Sequence, residues 1–158
     1  MRIGFGYDAH RLKQGRRCIL CGVEIPCEFG PDGHSDADVA IHALMDAMLG
    51  ALALGDIGGW FPDTDEQWHM ASSLSLLKTV YASVTEFGYT LGNADITIIL
   101  QSPRLSPYIK NMRAVVADAL ETDIDRISIK ATTEEKMGFT GDGTGIASMA
   151  VVLLQKDG

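Results

Sequence analysis

Ser35-Asp36-Ala37-Asp38-Val39-Ala40-Ile41-His42-Ala43-Leu44-Met45-Asp46-Ala47-Met48-Leu49-Gly50-Ala51-Leu52-Ala53-Leu54-Gly55 is the segment on which the fold turns. Val39, Leu44, Met48 and Leu52, with alanines between them, recur at helical spacing and give a broad apolar face. The pattern predicts a helix from about Asp36 to Leu54, capped by Ser35 and stopped by Gly55. Asp38, three residues after Ser35, fits a loose capping box.

Working outward, Met1 to Tyr7 and Arg17 to Ile25 read as strands, joined to the helix by a turn-rich loop over Phe29-Gly30-Pro31-Asp32-Gly33. After the helix comes a polar loop from Asp56 to His69, then a second helix over Ser72 to Phe87 that Gly88 ends. Thr90 to Leu100 reads as a buried strand. Pro107 to Leu120 is a third helix, and Ile127 to Ala131 and Ile146 to Leu154 are the last strands. Helices alternate with strands, which predicts one domain over residues 1–158. Its class is α/β, an α+β sandwich with helices on one side of a mixed sheet.

The formal net charge of -8, from 21 acids against 13 bases, argues against a nucleic-acid partner. It also sets a condition on any phosphate-bearing substrate, because bound divalent cations would be needed to reverse the local sign. No stretch approaches the roughly 18 apolar residues of a membrane helix. The chain starts directly on a strand-like run, so a cytoplasmic location is expected. Cys18 and Cys21 form a C-x-x-C with no second pair, and Cys27 makes the count odd. Buried thiols are the expected reading rather than a zinc or redox site.

Several side chains are candidates for chemistry. Asp8 and His10, two apart in a strand, face the same way. With His42 from the long helix they would make three protein ligands and leave an open fourth position, as catalytic zinc requires. Asp38 and Asp46, four residues either side of His42, are candidates to accept its outer N–H. The competing reading is an Asp-x-His arising by chance and a helical histidine satisfied in the core. His34-Ser35 stands at the helix start, where a phosphate would be welcome, although Ser35 also serves as a plain cap. Phe61-Pro62-Asp63-Thr64-Asp65 suits polyol hydroxyls or an Asx turn. Lys130-Ala131-Thr132-Thr133-Glu134-Glu135 leaves a strand with hydroxyls and carboxylates; Glu135 suits a hard cation shared with phosphates, and Thr132 with Glu135 also fits a helix start. The glycine-rich run from Gly138 to Gly145 lacks the lysine of a P-loop.

Taken in order, these stretches resemble the 2-C-methyl-D-erythritol 2,4-cyclodiphosphate synthase family from end to end. The resemblance rests on Gly4-Phe5-Gly6-Tyr7-Asp8-Ala9-His10, on His34 to Leu44, on Gly55-Asp56-Ile57-Gly58 with Phe61 to Asp65, and on Lys130 to Thr133 with Glu135 to Gly141. It implies a cytidine diphosphate ester substrate, an intramolecular cyclisation that expels CMP, and a homotrimer with active sites between subunits. It implies zinc on Asp8, His10 and His42, and Mg²⁺ or Mn²⁺ on Glu135. By the same resemblance His34 and Thr133 stabilise the transition state, and Asp8, Ala9, His10, His34 and Ser35 meet the substrate's phosphates. Asp56, Ile57 and Gly58 hold the ribose, and Phe61, Pro62, Asp63, Thr64 and Asp65 the methylerythritol. Leu100, Gln101, Ser102, Pro103, Arg104, Leu105 and Ser106, with Ala131 and Thr132, take the cytosine, and Glu134, Glu135 and Phe139 border the site.

Arg104 stands where the family commonly has a lysine, Glu134 where it often has a threonine, and Asp142 where it commonly has an arginine. The last departure implies poor binding of isoprenoid diphosphates in the trimer's central cavity. A metal-dependent phosphoesterase, or a noncatalytic module binding isoprenoid diphosphates, are the other readings of the same residues.

Overall fold

The computed structural model describes residues 1–158. A five-stranded mixed sheet, in the order β4-β1-β7-β5-β6, carries the molecule. Its strands are β1 (Arg2–Gln14), β4 (Phe29–Pro31), β5 (Tyr89–Ile99), β6 (Ile127–Thr132) and β7 (Gly145–Lys156). Only the β5–β6 pair is parallel. A separate hairpin pairs β2 (Cys18–Leu20) with β3 (Val23–Ile25). The helices are α1 (Val39–Ala51), α2 (Ile57–Trp60), α3 (Ser73–Glu86), α4 (Ile109–Ala119) and α5 (Gly138–Gly141). None is long and apolar enough to cross a membrane.

Gly4 and Gly6 explain how the central layer closes. A Cβ at Gly4 would lie 1.8 Å from the carbonyl oxygen of Ala47, and one at Gly6 would lie 1.9 Å from that of Ala43. The backbone of α1 therefore rests directly on β1, which only glycine permits. Eleven of the 13 residues of α1 are buried, so the helix is enclosed on nearly every side rather than on one face. Asp8 and His10 continue the same face of β1 as Gly4 and Gly6, and so project toward the first half of α1.

The other face of the sheet is bare. Ile3 (73% exposed), Phe5 (60%) and Tyr7 of β1 stand beside Met149 and Val151 of β7, with Phe5 opposite Val151 and Tyr7 opposite Met149. A contiguous exposed apolar face of this kind is a candidate interaction surface.

Three readings of the sequence are corrected. Helix α1 starts at Val39, because Asp38 and not Ser35 is its cap, accepting the Ile41 amide at 3.2 Å. Asp38 also accepts from the amides of Cys21 (2.9 Å) and Gly22 (2.7 Å), so a tertiary contact selects it among three adjacent cap-forming residues. Arg17 to Ile25 is not one strand: Cys21 and Gly22 both take positive φ and fold it into a hairpin. Phe29 to Pro31, read as loop, is an edge strand on Leu12 to Gln14. The thiols are buried or half-buried, as expected: burial raises Cys18 to about 12 and Cys21 well above its ordinary range, and Cys27 is partly covered.

Candidate active site

Asp8, His10 and His42 converge. His10 Nε2 lies 2.9 Å and His42 Nδ1 3.1 Å from Asp8 Oδ2, and the two ring nitrogens are 3.4 Å apart. Donors around a tetrahedral ion at roughly 2.0–2.1 Å sit about 3.3 Å from one another, so the spacing matches such a set. On the outer side of His10, Nδ1 lies 3.0 Å from the carbonyl oxygen of Asp32. A carbonyl only accepts, so Nδ1 carries the hydrogen and a neutral His10 turns a lone pair toward Asp8. A carboxylate oxygen and a ring lone pair facing each other at contact distance need a cation between them. The residues fit a metal, and no other three metal-binding side chains in the protein come together in this way.

Without an ion, protons fill that role. Burial opposes the charge on Asp8, but hydrogen bonds from His10 and His42 outweigh it and hold the carboxyl at about 2. Burial likewise opposes charge on His10, yet Asp8, the Asp32 carbonyl and the field of Asp63 raise its pKa. The outer contacts of His42 differ from those the sequence suggested. Asp38 is committed to backbone amides, and Asp46 accepts the Ile57 amide at 2.8 Å. His42 Nε2 instead meets the hydroxyls of Ser73 at 3.0 Å and Ser35 at 3.2 Å.

The three residues line a hollow of about 320 Å³ together with His34, Ser35, Ile57, Gly58, Phe61 and Asp63. His34 Nε2 is buried there without a partner. Phe61 is buried edge-on against Trp68, with ring centroids 5.0 Å apart, and this anchors the loop that brings Asp63 in.

Comparison with known proteins identifies the family. The YgbB family model matches residues 1–155. A 2-C-methyl-D-erythritol 2,4-cyclodiphosphate synthase of Clostridioides difficile (strain 630) is 59% identical over 98% of this chain and 96% of its own. The chain belongs to the cyclodiphosphate synthase family. Among solved structures, the bifunctional IspDF from Campylobacter jejuni superposes with a TM-score of 0.95 at 43% identity, over 98% of this chain and 42% of that one. IspF of Plasmodium falciparum, solved as a CDP complex, gives 0.88 at 34%, over 99% and 97%.

The remaining residues expected from that family fall in separate places. A second hollow, of about 790 Å³, is lined by Leu100, Gln101, Pro103, Arg104, Leu105, Ser106, Ala131, Thr132 and Thr133, together with Lys130, while Ser102 lies outside it. It shares no lining residue with the first. Ala9 pairs with Ala147, Ala147 with Ile99, and Ile99 with Thr132, so the two hollows open at the same end of the sheet. Three strand spacings, roughly 14 Å along the sheet, separate β1 from β6. Asp56 caps α2 through the Gly59 amide, and Asp65 caps a short turn through the Gln67 amide; both are polar turn residues beside the first hollow rather than in its lining. Pro62 and Thr64 also lie outside that lining, and Ala9 faces the opposite side of the sheet. Phe139 stands against Gly145 near Ala9 and the backbone of His10. Glu135 is exposed, with φ of 53°, and no helix starts at Thr132. Glu134 is tied back by the Thr140 hydroxyl. Asp32, Ser73 and Trp68 were not legible as site residues: the first acts through its backbone, and the other two are brought in by tertiary packing.

Proposed function

We propose that the hollow around Asp8, His10 and His42 is where this chain performs the reaction of its family, as a homotrimer in which a neighbour's second hollow completes each site. The reaction converts 4-diphosphocytidyl-2-C-methyl-D-erythritol 2-phosphate to 2-C-methyl-D-erythritol 2,4-cyclodiphosphate with release of CMP, a phosphorus–oxygen lyase step of non-mevalonate isoprenoid synthesis. The observation that carries the site assignment is the convergence of three ligand atoms within 3.4 Å beside an unpaired, buried His34 Nε2.

No protein nucleophile takes part. The substrate's 2-phosphate oxygen bonds to the β-phosphorus as the bond to the CMP oxygen breaks, so the protein's work is positioning and charge neutralisation. Zn²⁺ held by Asp8, His10 and His42 would supply positive charge to the β-phosphate. Glu135, an exposed carboxylate in no ion pair, would help hold Mg²⁺ or Mn²⁺, which would supply further positive charge to the diphosphate. His34 Nε2 and the Ser35 hydroxyl face the phosphates. Thr133, at the rim of the second hollow, approaches them from the neighbouring subunit. Asp56 to Gly58 hold the ribose, Phe61 to Asp65 the methylerythritol, and the second hollow the cytosine, with Arg104 as its cation. The bare apolar face of β1 and β7 is the surface that supports assembly.

The hydroxyl and amide of Thr144 hold the Asp142 carboxyl below its ordinary range, and three such carboxylates in a trimer would disfavour an isoprenoid diphosphate. Calorimetry with farnesyl diphosphate should show no micromolar binding. The chain is expected to work in the cytoplasm. Incubating purified protein with substrate and Mg²⁺ and following phosphorus resonances tests the function. The cyclic product and CMP should appear together, and CMP release from a substrate lacking the 2-phosphate would point to hydrolysis instead.

A further inference from the structure

His42 presents Nδ1 to the metal position, and does so as a neutral ring only if Nε2 carries the hydrogen. That choice falls to residues the reaction does not otherwise use. Ser73, the first residue of α3, is wholly buried, and its hydroxyl oxygen lies 3.0 Å from His42 Nε2. The same hydroxyl bonds to Asp36 Oδ1, and the Ser73 amide donates to Asp36 Oδ2 at 3.0 Å. Asp36 is itself fixed, accepting the Asp38 amide at 3.2 Å and donating its own amide to the Ala71 carbonyl at 3.3 Å.

A carboxylate oxygen only accepts, and a serine hydroxyl has a single hydrogen. Ser73 gives that hydrogen to Asp36. Toward His42 its oxygen then only accepts, so Nε2 must donate. Nδ1 is left bare, aimed at the point it shares with Asp8 Oδ2 and His10 Nε2. Ser35 agrees with this direction. Its Oγ already accepts the Ala37 amide at 3.1 Å and lies 3.2 Å from His42 Nε2. Accepting there as well leaves the Ser35 hydrogen free for the hollow.

We infer that Asp36 and Ser73 are positioning residues that lock His42 in its metal-binding tautomer, and that Ser35 is thereby kept as a hydrogen-bond donor to a substrate phosphate. This rests on the metal reading above. Metal ligands oriented by such partners lose affinity when the partner is removed.

Zinc dissociation constants, measured by competition with a chromogenic chelator, test the relay. Ser73→Ala should weaken zinc roughly 10- to 100-fold. Asp36→Asn should weaken it too, and the double variant should be no worse than Ser73→Ala, because Asp36 acts through Ser73. Ser73→Thr keeps the hydroxyl and should restore affinity. Imidazole ¹⁵N spectra of the zinc-loaded, unsubstituted protein need no variant to fold, and should place the His42 proton on Nε2. Unchanged zinc affinity in folded Ser73→Ala protein overturns the relay while leaving the metal site standing, whereas a proton on Nδ1, which a zinc-bound nitrogen does not carry, overturns the relay and the place of His42 in the metal site. Failure of the unsubstituted protein to bind zinc overturns both.

Discussion

The two hollows are built on different principles. The one around Asp8, His10 and His42 is complete within one chain: its ligands converge, their outer atoms are engaged, and α1 is pinned to β1 by backbone contact at Gly4 and Gly6. The one between Leu100 and Thr133 is more than twice as large, and the transition-state candidate Thr133 and the metal-ligand candidate Glu135 are both exposed. A preorganised site is set before substrate arrives. A half-site of exposed groups is finished by what docks against it. On the function proposed above, the difference assigns the metal chemistry to the subunit interior and nucleotide recognition to a boundary between subunits.

The strongest way to break this comparison is to separate the halves. His42→Ala should lose its zinc and roughly 10²- to 10³-fold in turnover, as removal of a central electrostatic group does. Thr133→Ala should keep its zinc. Mixing the two, after exchange of subunits, should restore partial activity, since some sites then draw both intact halves from different chains. Absence of any recovery in mixed trimers verified by mass would place both halves in one chain's site.

Gly6→Ala probes the rigidity of the first half. Its methyl would lie 1.9 Å from the Ala43 carbonyl oxygen, so α1 must move; overpacking of this kind is destabilising by roughly 2 kcal/mol or more. Urea unfolding measures it, and a stability unchanged within 0.5 kcal/mol, an order-of-magnitude threshold for surface substitutions, would show that the contact relaxes freely. Glu135→Gln probes the second half. It should raise the Mg²⁺ concentration for half-maximal activity by about tenfold, the equivalent of one weakened ionic ligand, while bound zinc stays constant. An unaltered Mg²⁺ titration would remove Glu135 from the cation site.

The smallest expected effect concerns protons standing in for the metal. His10 has its folded pKa raised above its ordinary 6.5, so its contribution to stability is present below about pH 6.5 and fades as pH rises through the folded value. Stripping metal should therefore lower Tm less at pH 6 than at pH 8. An equal loss at both would show that His10 and Asp8 are not paired without the ion.

Much of this was legible in the sequence, for identifiable reasons. Asp8 and His10 are two apart on a strand, and that alternation carries over directly to a shared face. The helices and long strands announced themselves by periodicity. The start of α1 did not, because Ser35, Asp36 and Asp38 are all competent caps, and the choice was made by the Cys21 and Gly22 amides 17 and 16 residues away. The hairpin at Cys21-Gly22 was hidden by a non-glycine residue in the left-handed region, at φ of 50°. The partners of His42 were guessed on its own helix, where acids lay at the right spacing. Tertiary packing supplied Ser73 instead, 31 residues on, and no local pattern records that.

The buried thiols have a practical consequence. Cys18, raised to about 12, and Cys21, raised well above the ordinary thiol range, are buried residues of the hairpin itself and are poor nucleophiles at neutral pH. Cys27 is only partly covered. A maleimide probe should therefore mark the native protein at Cys27 first and reach the other two only when the hairpin opens. The number of labels per chain becomes a clock for unfolding, and an electrophilic inhibitor that modifies all three is reporting denaturation rather than binding.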